Sequence, residues 1–307
     1  MSDLIAYSPA VAAARRDGVP IVALESTIIT HGLPYPDNLE TARSVETVIR
    51  EAGAEPATIA IMGGHIRIGL AGTDLESLAQ AERPQKVSRA DFAATLASGR
   101  TGSTTVAATM IAARLAGVSV FATGGIGGVH RGAAETFDIS ADLDELARTP
   151  IVVVSAGAKA ILDLNKTLEV LETKGVPVVG YQTDTFPAFW SRTSGLPVPL
   201  RADTPAEIAA IHEMQARLDM PSGLLVANPV PADDEISQED MRGYIERAQA
   251  DADAANIQGK DVTPFILARI AELTNGRSVP TNIALVRNNA ALAARLARAI
   301  AERAPVP

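Results

Sequence analysis

Four chemically capable groups stand at places where apolar runs end. The stretch IVVVSAGAKAILDL (Ile151–Leu164) closes a β-branched run with small residues and then a lysine, Lys159. Ile151–Val154 reads as a buried strand, and Ala160 to about Lys174 as a helix ending at Gly175. A cation gains nothing at a helix N-terminus, so this placement favours the neutral amine, which is a nucleophile. The competing reading is a solvated or phosphate-holding lysine. The run PIVALE ends on a carboxylate, Glu25, followed by STIITHG. VSVFATGG leads into TGGIGGVHRG, a glycine-rich turn with His130, and VPVVGY leads into YQTDTFPAFW. In open α/β sheets ligands bind beyond the carboxyl ends of the strands, so these groups converge on one rim.

Other segments offer anion or metal chemistry, each beside a plainer alternative. TGGIGG (Thr123–Gly128) is not the dinucleotide fingerprint, because His130 occupies the place of its third glycine; its N–H groups could face an anion, or it is a tight turn. TGSTTVAAT (Thr101–Thr109) combines hydroxyls with a helix start, which suits a phosphate or ordinary capping. ETFDISADLDEL offers Asp138 and Asp142 around Ser140, as ligands of a hard, oxygen-bound ion such as Mg²⁺ or Mn²⁺ or as a capping loop. Lys86 lies among polar residues and by itself reads as a surface charge; Trp190, the one tryptophan, reads as core packing ahead of base stacking.

The elements that would position these groups alternate. Strand-like segments at Pro20–Glu25, Ala57–Gly64, Val118–Gly125, Ile151–Ser155, Val176–Tyr181, Leu224–Val230 and Asn282–Asn288 are separated by helical ones. HIRIGL after the second strand reads as a hairpin partner; Asp37 and Thr73 read as N-caps, a further helix as Ser103–Gly117, and the acidic stretch Pro231–Ala255 as solvated helices. The alternation predicts an α/β fold: a three-layer α/β/α domain with a largely parallel central sheet, single over residues 1–307.

The 307 residues carry a net charge of −9, which argues against nucleic acid as a partner. Without cysteine there are no disulfides, thiolate metal sites or cysteine nucleophiles, and the four histidines, His31, His65, His130 and His212, show no zinc spacing. No secretory h-region and no membrane-length apolar run is present, so a cytoplasmic location without a membrane partner is expected.

The segments ALESTIITHGLPYPDNLETA, FATGGIGGVHRGAAETFDISADL, VSAGAKAILDLNKTLEVLET, GYQTDTFPAFW and NIALVRNNA together resemble the pseudouridine-5′-phosphate glycosidase family, from about Val19 to Leu292. The resemblance implies reversible cleavage of pseudouridine 5′-phosphate to uracil and ribose 5-phosphate by a homotrimer with an α/β/α core. It implies a divalent metal, usually Mn²⁺ with Mg²⁺ as a substitute. Carried over by motif, the proton donor falls on Glu25, the covalent lysine on Lys159 and the metal ligand on Asp138, with Asp142 the other candidate in the same loop. Substrate contacts fall on Lys86, Val106, Ser140, Ala141 and Asp142, with His130 and Asn282 as neighbours of the site. A sugar or nucleoside kinase is the alternative enzyme class, disfavoured because the Gly-Ala-Gly-Asp pattern of ribokinase-like enzymes is absent; a non-catalytic binding module is the third reading.

Overall fold

The computed structural model describes residues 2–257, 259 and 262–303. Its strands are β1 (Ile5–Tyr7), β2 (Ile21–Leu24), β3 (Glu55–Met62), β4 (His65–Ile68), β5 (Gln85–Val87), β6 (Gly102–Thr104), β7 (Val120–Ala122), β8 (Val152–Ser155), β9 (Val178–Tyr181), β10 (Leu200–Ala202) and β11 (Leu224–Ala227). They join in one sheet of order β1-β4-β3-β2-β7-β8-β11-β9-β10, with β6 set against β3 and β5 against β6. From β3 through β10 every neighbouring pair is parallel, whereas β4 and β6 run antiparallel to β3. The antiparallel β4 is the expected hairpin partner, joined to β3 through Gly63 and Gly64 with positive φ.

The parallel centre is buried on both faces, which is why its strands read as unbroken apolar runs: Val152, Val153 and Val154 are fully inaccessible. Helix Ser278–Arg303 packs on β2, β7 and β8, and helix Val106–Leu115 on β2, β3 and β7. Alanines at 107, 108, 112 and 113 are buried in the latter, so its backbone lies close to the sheet.

Several expectations are corrected. Asn282–Asn288 is not a strand; it lies inside helix Ser278–Arg303, whose buried positions recur with helical spacing. The helix after Lys159 starts only at Leu164, where Asp163 accepts from the Lys166 N–H, so Lys159 is not at a helix N-terminus. Ser103 and Thr104 belong to β6, and the helix there starts at Val106 behind the cap Thr105. Pro36 occupies the N-cap expected at Asp37, and Ala71 the one expected at Thr73.

One ion pair fixes the edge of the site. Arg89 donates from Nε and Nη2 to the Glu145 oxygens at 2.6 and 2.8 Å, and Glu145 is fully buried. The pair ties helix Arg89–Ser98 to helix Ala141–Leu146. Arg89→Ala strands the carboxylate and is expected to cost about 2 kcal/mol in urea melts, below the ~3–5 kcal/mol of a wholly buried pair because the arginine is half exposed. Arg89→Lys should restore only part, lacking the planar fork.

Candidate active site

At the carboxyl ends of β2, β7 and β8 lies a cleft of about 290 Å³, close to the lower limit of about 300 Å³ for a small-molecule site. Glu25, Lys86, Val106, His130, Asp138, Ser140, Ala141, Asp142 and Lys159 all line it. Asn282 does not; its side-chain Oδ1 accepts from the Trp190 indole N–H at 2.6 Å, in a partly buried bond. Trp190 is buried and packs edge-on to Phe189.

Lys159 owes its position to the sheet. Parallel pairing continues past the ends of β7 and β8: the Ile126 N–H donates to the Gly157 carbonyl and the Lys159 N–H to the Ile126 carbonyl, both at 3.1 Å. Gly157 makes the turn at φ +76°, and a Cβ there would stand 2.4 Å from the Pro187 carbonyl oxygen. The lysine therefore follows the short bridge at Ala158, beyond the strand, half-buried and with its side chain on the cleft.

Glu25 follows β2 directly, and its two carboxylate oxygens accept hydroxyl hydrogens from Thr27 and Thr123. Neither threonine stands out in the sequence; Thr27 lies within reach of a local reading, two residues after Glu25, whereas Thr123 lies a strand away. Ser88, Leu162 and Thr263 also reach the cleft without a sequence signal.

Asp142 is nearly inaccessible, and both its oxygens are engaged: Oδ1 accepts from the Ala107 N–H at 2.9 Å and Oδ2 from the Gly127 N–H at 2.8 Å. The helix start at Val106 is accordingly not a ring of open amides. The Ala107 N–H serves Asp142, the Ala108 N–H the Thr105 hydroxyl, and the Thr109 N–H the Thr105 carbonyl. Val106 lines the cleft, and its N–H is not among those so used. Ser103 and Thr104 are fully buried and donate to the carbonyls of Gln85 and Ile59, so the anion site expected from these hydroxyls reduces to Thr105 and Val106.

The glycine turn is shaped by packing. A Cβ on Gly125 would stand 2.7 Å from the Phe189 ring, one on Gly127 2.2 Å from the Ser140 hydroxyl, and one on Gly128 2.4 Å from the Thr167 hydroxyl. Beyond it, Val129 pairs with Ile139: the His130 N–H donates to the Asp138 carbonyl at 3.0 Å, and the Ser140 N–H to the Gly128 carbonyl at 2.9 Å. This ladder sets His130 Nδ1 3.9 Å from Asp138 Oδ2. Burial pushes the His130 pKa below its ordinary value; Asp138 opposes this, while Lys159 and Lys86 add to it, so the ring is neutral near pH 7.

Among the described residues no three His, Asp or Glu side chains gather around one point. With Asp142 engaged, Asp138 is the loop's carboxylate left open to the cleft. This donor set fits a hard cation held by one carboxylate, with water and ligand oxygens completing its shell, and does not fit a closed cage.

The family model of indigoidine synthase A-like proteins matches residues 10–299. Pseudouridine-5′-phosphate glycosidase of Jannaschia sp. (strain CCS1) is 63% identical over 296 residues, covering 96% of this chain and 98% of that one. The protein of the same name from Paracoccus denitrificans is 62% identical over 98% of this chain and all of its own length. The prealnumycin C-glycosynthase AlnA, solved in complex with ribulose 5-phosphate, superposes with a TM-score of 0.90 at 37% identity, over 97% of each chain. Sequence and fold agree over nearly the whole length, and the chain belongs to the pseudouridine-5′-phosphate glycosidase family of indigoidine synthase A-like enzymes.

Proposed function

We propose that this chain reversibly cleaves the C–C glycosidic bond of pseudouridine 5′-phosphate, giving uracil and ribose 5-phosphate, through an imine between Lys159 and C1′ of the sugar. The observation that carries the reading is one cleft lined by both Lys159 and Glu25, in a chain more than 60% identical to glycosidases of that name. The sugar phosphate in the AlnA structure supports the substrate class.

A C-nucleoside poses a specific problem. Ordinary glycosidases protonate a leaving heteroatom, but here the leaving atom is carbon. An amine on C1′ of the opened sugar removes the difficulty. O4′ takes a proton as the ring opens, and uracil C5 takes a proton before departure. The pair of the breaking C1′–C5 bond restores the uracil C5–C6 double bond, while the nitrogen lone pair closes the C=N bond. Water then hydrolyses the imine, releasing ribose 5-phosphate and Lys159. Glu25 serves both protonations: the Lys159 nitrogen bonds C1′ as the C1′–O4′ bond breaks, and the proton it then loses reloads Glu25 for the second. Lys159 must shed a proton to attack and Glu25 must gain one to deliver, so transfer between them prepares both. Lys86, Thr105 and the Val106 amide supply the positive charge and donors for the 5′-phosphate, with Ser140 and Ala141 on the facing helix start.

Asp138 is the residue that would hold Mn²⁺ or Mg²⁺. Bound there, such an ion supplies charge that orients substrate oxygens and water. We also propose a cytoplasmic homotrimer, on the family resemblance; light scattering of the purified protein tests the subunit count.

The deciding experiment is uracil release from pseudouridine 5′-phosphate, with ATP and pseudouridine as the control that exposes a kinase by its ADP. Borohydride added to enzyme and ribose 5-phosphate should fix a secondary amine on the peptide carrying SAGAKAILDL. Lys159→Ala and Lys159→Arg should lose both adduct and turnover, because guanidinium stays protonated. An adduct mapped to Lys86 or Lys166 refutes the covalent assignment.

The two aspartates should separate. Asp138→Asn is expected to raise the Mn²⁺ concentration needed for half-maximal activity with little change in melting temperature. Asp142→Asn loses one of its paired N–H acceptors and should lower the melting temperature by the equivalent of about 1–3 kcal/mol at any metal concentration. Selection for the 5′-phosphate over free pseudouridine should reach at least about tenfold in kcat/KM, roughly 1.4 kcal/mol, and shrink in Lys86→Ala.

A further inference from the structure

The two hydroxyls on Glu25 differ in origin. Thr27 sits two residues on and moves with Glu25, but Thr123 arrives from the end of β7 and is held independently. Its N–H donates to the Val154 carbonyl at 3.0 Å, and its carbonyl accepts from Asn289 Nδ2 at 2.8 Å. Asn289 is fully buried on helix Ser278–Arg303, and its Oδ1 accepts from Asn228 Nδ2 at 2.9 Å. The Asn228 N–H donates to the Ser155 carbonyl at 2.8 Å, on the strand that leads to Gly157 and Lys159. One line of hydrogen bonds thus runs from the Lys159 strand through Asn228, Asn289 and Thr123 to the Glu25 carboxylate. Every link is buried or half-buried, where an aligned donor holds its acceptor most firmly.

Thr123 is 2% exposed and is not among the residues lining the cleft; it borders a smaller void behind Glu25 with Leu24, Ile28 and Val45. A hydroxyl placed there cannot serve substrate across the cleft. What it can do is take one lone pair of the carboxylate and fix the group's rotation, leaving the remaining lone pairs for the cleft side. Proton transfer demands approach to about 2.6–3.2 Å, and a misplacement of about 1 Å can cost ~100-fold in rate.

We propose that Thr123, anchored by Asn289, is a positioning residue that sets the orientation of the Glu25 carboxylate for proton transfer. This rests on the reading of Glu25 as the proton-transfer group in uracil release. It also accounts for part of the NIALVRNNA motif, whose Asn289 is the buried tie between the long C-terminal helix and the catalytic strand ends.

The test compares kcat and KM for uracil release in wild type, Thr123→Val and Thr123→Ser, with melting temperatures alongside. Valine keeps the shape and the backbone bonds and removes the hydroxyl; serine keeps the hydroxyl. Thr123→Val should lower kcat about 10- to 100-fold with KM within about twofold of wild type, and Thr123→Ser should recover most of the loss. Thr123→Ala decides by the same readouts if the valine protein does not fold. An unchanged kcat in the valine protein, equal losses in valine and serine, or an effect confined to KM would overturn the inference while the reaction stands. A wild-type protein that releases no uracil overturns the reaction and this inference with it.

Discussion

Asp142 carries a constraint on which the site depends. Its carboxylate accepts one N–H from the first turn of helix Val106–Leu115 and another from the glycine turn after β7. A buried carboxylate is tolerable only when such donors replace its lost water, and here they are backbone donors with fixed positions. Three chain segments, separated widely in sequence, are therefore locked to one side chain: the helix start at Val106 on the cleft, the turn that supports Lys159 through Ile126, and the loop that carries Asp138 and Ser140. The Arg89–Glu145 pair holds the same short helix one turn further on.

The glycine turn follows from that lock. Gly127 must bring its N–H within reach of Asp142 beneath the Ser140 hydroxyl, and no Cβ fits in that gap. Gly125 lies against Phe189 and Gly128 against Thr167 for the same steric reason. A run of glycines that could cradle an anion instead packs closely against side chains, and the neighbouring helix start and Lys86 line the cleft. The charges then divide by depth: Lys86, Lys159 and Asp138 face the cleft, while burial keeps His130 neutral among them.

Under the proposed reaction, an amine and a carboxylate stand together where an ordinary glycosidase uses two carboxylates, because carbon offers no lone pair to protonate and the electrons would come from a covalently attached nitrogen. A rigid parallel sheet suits this chemistry. β2 and β8 flank β7, so the strand ends carrying Glu25 and Lys159 keep a fixed separation with Thr123 between them. Side chains on rigid elements hold a reacting geometry more closely than side chains on loops.

The sequence by itself determined the fold class, because strands buried on both faces must be apolar throughout and the helices between them must alternate. It also pointed to Glu25 and Lys159, which the fold brings to one cleft, Glu25 directly after β2 and Lys159 beyond the Gly157 turn that follows β8. Asn282–Asn288 misled because NIALVRN is apolar enough to pass for a strand; only its packing across β2, β7 and β8 shows a helix. The hydroxyls of Ser103 and Thr104 suggested an anion site because a sequence does not show which carbonyls lie nearby; the sheet presents Gln85 and Ile59. The choice between Asp138 and Asp142 was likewise undecidable from a loop that holds both. In the fold, two backbone N–H groups, from Ala107 and Gly127, engage Asp142, and Asp138 is left open to the cleft. Local pattern records what each segment must bury, whereas the partner that satisfies a polar atom is set by contacts between segments far apart in the chain, and only the tertiary structure decides those.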